Sequence, residues 1–168
     1  MSYSDYRKQI ERVDRLLAIV NSTNPYPHIG DVEFEDILHF SIQSMWHVKD
    51  WILNDPSLTE HIAIETRADI HSRRCLMICA DLANGIKHMR LRSSKTGFRF
   101  VGQTGCHLDG KHAICMSFYE IKSDDPADPY HLMEIRDLLA ECRKAWEEIC
   151  ERLSKALAEE YLKMLDNQ

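Results

Sequence analysis

The sequence predicts a mainly α-helical protein, an antiparallel four-helix bundle with a β-hairpin inserted before the last long helix. Three observations carry that prediction. Apolar residues recur at three-and-four spacing through four long stretches. One region between the third and fourth switches to a period of two. The breakers, among them Asn24-Pro25, Asp55-Pro56 and Asp128-Pro129, fall between these stretches.

The first helix is expected over Ser4–Val20, because Ile10, Val13, Leu16, Leu17 and Val20 share one face. Asn21-Ser-Thr-Asn-Pro25 stops it, and a loop with Pro27 and Gly30 follows. The second runs from about Val32 to Asn54 and ends at Asp55-Pro56. Ser57–Glu65 adds a short helix or helical turn. The third runs from about Ala68 to Leu91, with Gly85 inside it at a cost of roughly 1 kcal/mol relative to Ala.

Phe98 and Phe100 then alternate with Arg99 and Val101, and His112–Ile121 is rich in β-formers. With Asp109-Gly110 between them, residues 97–122 read as a hairpin with a longish loop. Ser123–Pro129 is a turn cluster. From Pro129 a long helix extends to about Leu165 on Leu132, Ile135, Leu138, Leu139, Cys142, Trp146, Ile149, Leu153 and Leu157. After about Ala158 it turns acidic and is expected to fray or project.

The chain of 168 residues fits a single domain spanning 1–168 and can bury a core without staples. Apolar residues at 44% and mixed charges at 29% exclude a disordered chain. A net charge of −6 speaks against a DNA-coating protein, so nucleic acid would be met by a local patch. The charged N-terminus is no signal peptide, and no run reaches the ~18–20 apolar residues of a membrane span. A cytoplasmic protein without membrane contact is expected. Cys75, Cys79, Cys106, Cys115, Cys142 and Cys150 lack the spacing of a zinc knuckle, and reduced thiols are expected.

The second helix carries a polar stripe. Asp36, His39, Gln43, His47 and Asp50 fall in a sector roughly 80° wide, bordered by Phe40, Trp46 and Trp51. Asp and His titrate, bind metals and move protons; the same pattern also fits a plain solvated edge. On the third helix Asp81, Asn84 and His88 share a face within about 60°, extended by Arg74. Stripes facing each other across the bundle would bring His47, Asp50, Asp81, Asn84 and His88 together, as facing helices do when bundles build sites. If instead they do not meet, Asp81 and Asn84 are ordinary hydrogen-bonding residues.

The segment Ala83-Asn84-Gly85-Ile86-Lys87-His88 resembles the signature of the HEPN superfamily, an Arg, often followed by Asn, with a His four to six residues on. Here the Asn and His stand at that spacing, and Ala83 occupies the Arg position. The resemblance implies a small four-helix fold, a homodimer, and a place among metal-independent ribonucleases of prokaryotic toxin–antitoxin and antiviral defence. It implies His88 as general acid/base beside Asn84 and Lys87 and no cofactor, and the facing stripes add His47, Asp50 and Asp81 as further catalytic candidates. Arg90, Arg92, Lys95 and Arg99 form a basic run suited to RNA phosphates, although such a run is also an ordinary solvated surface.

Two alternatives stand beside this reading. His47, Asp50, Asp81 and His88 offer two imidazoles and two carboxylates to a divalent transition metal such as Zn, Fe or Mn. Or the chain is a non-catalytic HEPN-like scaffold, with the hairpin and the Trp146 face as contact surfaces for a partner protein.

Overall fold

The structure, a computed structural model, describes residues 6–22, 32–88, 96–108 and 113–166, with the side chains of 32, 33, 87, 88, 99–108 and 113–119 outside the description. The predicted architecture is present: a helical bundle with a β-hairpin ahead of the last long helix. In chain order the elements are α1 (Tyr6–Ser22), α2 (Val32–Leu53), α3 (Glu60–Ser72), α4 (Arg74–His88), β1 (Phe98–Leu108), β2 (Ala113–Ser123), β3 (Met133–Glu134) and α5 (Ile135–Asp166).

Among the described residues there are five helices, where the sequence predicts four and a turn. The stretch predicted as one helix from Ala68 to Leu91 divides at Arg73, whose φ of −83° and ψ of 105° are extended. The predicted turn at Ser57–Glu65 joins the first half of that stretch to make α3. The cause is a change of phase. Ile62, Thr66 and Ile70 form the buried seam of α3, and its next step falls on Arg73 and Arg74. Both guanidiniums leave the core for carboxylates. Arg73 bonds Asp69 at 3.1 Å and Glu148 at 2.5 Å, and Arg74 pairs with Asp128.

The core runs through all five helices and takes in Phe98 and Ile121 from the sheet. On α2 the seam is Phe34, Leu38, Ile42, Met45, Val48 and Ile52, all buried at three-and-four spacing. On α5 it is Leu138, Cys142, Trp146, Ile149 and Leu153. Trp146 is fully buried and its indole N–H donates to the Met45 carbonyl at 3.0 Å, so its face belongs to the core and is not the contact surface expected from the sequence. Gln9 of α1 likewise donates to the Ser44 carbonyl at 3.1 Å.

β1 and β2 pair antiparallel from Phe98↔Ser123 to Leu108↔Ala113. A third strand not expected from the sequence, β3, pairs on β2 through Glu120↔Glu134 and Ile121↔Met133. Leu132 makes that return possible. Its φ of 59° is left-handed, and its N–H donates to the Ile121 carbonyl at 2.9 Å. The last helix therefore starts at Ile135 and not at Pro129. No described helix is long and apolar enough to cross a membrane.

Candidate functional site: an outward polar edge and a closed carboxylate

The seam of α2 decides where its polar stripe goes. On a wheel of 100° per residue, the stripe lies roughly opposite the buried Leu38, Met45, Val48 and Ile52. Asp36, His47 and Asp50 are exposed, and His39 and Gln43 are half-buried. The stripe thus lies on the outer side of the bundle, which corrects the expectation that it lines an interior pocket. An amphipathic helix turns its charged side to water because burying unpaired carboxylates costs far more than exposing them. Phe40 beside the stripe is 63% exposed. Lys49 lies 4.3 Å from the centre of the Trp46 ring and 3.4 Å from Asp50, a cation–π contact backed by an ion pair.

On α4 the predicted stripe divides. Asp81 is 3% exposed, and its Oδ2 accepts from the Thr96 N–H at 2.7 Å and the Thr96 hydroxyl at 2.6 Å. The carboxylate ties the helix to the segment entering β1. Asn84 is exposed at the far end of the helix, Gly85 is half-buried, and Ala83 is buried in the core. The side chains of Lys87, His88 and Arg99 lie outside the described residues, as do Arg90, Arg92 and Lys95 altogether. Arg74, read as an extension of the stripe, instead pairs with Asp128 and stands 5.6 Å over the Phe98 ring.

The structure therefore does not gather His47, Asp50 and Asp81 into one pocket. The first two look outward, and the third is closed on Thr96. Among the described residues no group of three or more His, Cys, Asp and Glu side chains is placed to hold a metal ion.

What the fold does assemble, and the sequence reading missed, is an open pocket of about 360 Å³ lined by charged side chains where α4 begins. Arg73, Arg74, Cys75, Tyr130, Glu141, Lys144 and Glu148 line it, from the α3–α4 junction, α4, α5 and the β2–β3 turn. Tyr130 donates to Glu141 at 2.8 Å, and burial with that carboxylate raises its phenol well above the usual range. Asp128 is held below the ordinary carboxylate range by the Tyr130 N–H and then by Arg74. Glu148 is lowered by Arg73, whose guanidinium is in turn raised by Glu148. These mutual shifts mark charges that neutralise one another. The available signal was the Arg73-Arg74 dipeptide facing an acidic turn, Asp124-Asp125 and Asp128, far along the chain.

A second, open groove of about 540 Å³ lies between α1 and α5, with Tyr6 and Ile10 on one side and Cys150 and Ser154 on the other. Burial pushes the Cys150 thiol up to about 11, which keeps it protonated and unreactive near neutral pH. No protein-family model, curated protein or solved structure matches this chain.

Proposed function

We propose that this chain is a HEPN-like protein that acts on RNA from its outer surface. One observation carries the reading: Asn84 is exposed near the end of α4, four residues before His88, while the opposite face of that helix closes the core. The basic run Arg90, Arg92, Lys95 and Arg99 follows directly in the chain. It supplies the local positive field that an acidic protein needs to meet phosphates. In this reading His88 is the general acid/base at the 2′-hydroxyl, and Asn84 and Lys87 hold the phosphate. The test is incubation with total RNA in chelator, wild type against His88→Ala. Cleavage by the wild type alone supports the nuclease. Equal cleavage by both proteins, or none by either, removes it.

A second reading, a non-catalytic interaction protein, is favoured by a different observation. Ala83, at the family's Arg position, is 5% exposed and packs in the core, so no cation stands there. The end of α5 is also unusually apolar for a surface, with Tyr161, Leu162, Met164 and Leu165 all exposed. Light scattering behind gel filtration compares the full chain with one ending at Glu160. Self-association that the truncation abolishes supports this reading. A monomer at every concentration counts against it.

A further inference from the structure

Three cysteines that the proposed function leaves unused come together where α4 crosses α5. Cys142, fully buried on α5, donates its S–H to the Cys75 carbonyl at 3.3 Å. That bond brings the Cys142 sulfur to the start of α4, beside Cys75. Cys79 has no exposed surface and donates to the Ile42 carbonyl at 3.4 Å. Cys75 differs from both: it lines the 360 Å³ cavity and keeps 7% of its surface exposed.

Its place in the helix matters as much as its access. Cys75 is the second residue of α4, where unpaired backbone N–H groups and the helix dipole favour a negative charge. The Cys142 thiol favours the Cys75 thiolate most and burial opposes it; the Leu76 N–H and the Arg73 guanidinium add to the lowering, and Glu141 works against it. Cys142 shows the opposite trend, pushed well up by burial and then by its two thiol neighbours. A thiol at a helix N-terminus, reaching a surface pocket and lying beside a second thiol buried in the core is the arrangement of an attacking and a resolving cysteine.

We propose that Cys75 and Cys142 form a peroxide-sensitive dithiol, in which Cys75 in the lining of the pocket reacts first and Cys142 closes a disulfide joining α4 to α5. The Cys75 sulfur attacks one oxygen of a hydroperoxide. The S–O bond forms, the O–O bond breaks, and the released hydroxide takes up a proton. Cys75 is then a sulfenic acid and the peroxide has been reduced. The Cys142 sulfur attacks the Cys75 sulfur and loses its proton. The S–S bond forms, the S–O bond breaks, and the oxygen departs as water. With hydrogen peroxide, two thiols are converted to one disulfide and two waters.

Cys106 and Cys115 are register partners across the hairpin, so a loss of two hydrogens from the intact mass cannot by itself assign the bond. The test is therefore peptide mapping. The native full-length protein is treated with hydrogen peroxide, unfolded in alkylating reagent and digested without reductant. The expected product is an α4 peptide joined to an α5 peptide through Cys75 and Cys142, formed in Cys79→Ser as in the wild type and lost in Cys75→Ser. The idea is overturned if Cys75 and Cys142 are both recovered alkylated after peroxide treatment of the wild type. It is equally overturned if Cys142 is joined to Cys79 there, or if Cys75 stops at higher oxidation states with Cys142 free. The wild-type map decides these outcomes even where a serine variant fails to fold.

Discussion

A single oxygen of Asp81 accepts both the backbone N–H and the hydroxyl of Thr96, at 2.7 and 2.6 Å. That pair changes the meaning of Asp81 from a candidate catalytic group to the fastening between α4 and the hairpin. A carboxylate already receiving two donors in a buried position has little left to offer a substrate. Asp81→Ala should then lower stability by about 1–3 kcal/mol, the cost of leaving buried donors unpaired. Asp81→Asn, which keeps an acceptor oxygen, should lose less. Urea unfolding of the two variants checks this, and equal losses would argue that shape and not hydrogen bonding matters there.

The turn into β3 makes a second expectation. Leu132 holds a left-handed φ of 59° with its side chain 48% exposed, so little packing depends on it. Left-handed backbone costs a residue with a side chain roughly 1–2 kcal/mol. Glycine removes that strain but gives back about 0.5–1 kcal/mol through its freer unfolded chain. Leu132→Gly should therefore stabilise the fold by a few tenths to about 1 kcal/mol. A rise in the thermal midpoint confirms it, and a fall would show that the Leu132 side chain contributes packing.

Cys150 gives the pH expectation. Its thiol is raised to about 11 by burial, so the thiolate is scarce near neutral pH and its share grows tenfold per pH unit up to that point. Labelling of Cys150 by iodoacetamide should be slow at neutral pH and climb through pH 9 and 10. The same shift sets a stability trend. A pKa raised above its unfolded value stabilises the fold fully below the unfolded pKa, and that contribution fades as pH rises toward about 11. Peptide mapping of labelled Cys150 across pH checks the rate. A plateau already at pH 8 would contradict the burial.

How much of this could be read beforehand differs by feature. The seams of α2 and α5 were legible because each keeps one apolar face for several turns, and only the core can take such a face. The division at Arg73 was hidden because no Gly or Pro marks it. The extended backbone there is held by Asp69 and Glu148, the latter 75 residues away in sequence. The two residues of β3 were too few to show a period at all. For the site, the wheel correctly placed Asp36, His47 and Asp50 on one edge, but an angle does not say which edge a neighbouring helix will cover. Phe34, Leu38 and Met45 settled that by taking the core side. The bond from Asp81 to Thr96 depends on how the chain returns after α4, which no local pattern encodes.

On the proposed function, RNA is met at the end of α4 where Asn84 is exposed. That reading is tested most directly by titrating a labelled single-stranded RNA with wild type, Asn84→Ala and a variant with Arg90, Arg92 and Lys95 changed to Ala, at two salt concentrations. The account predicts binding by the wild type that weakens steeply with salt, a shallower salt slope when the three cations are removed, and roughly tenfold weaker binding for Asn84→Ala, the size of one lost hydrogen bond to a charged group. Absence of binding by the wild type, or binding that neither salt nor these substitutions alter, would contradict it.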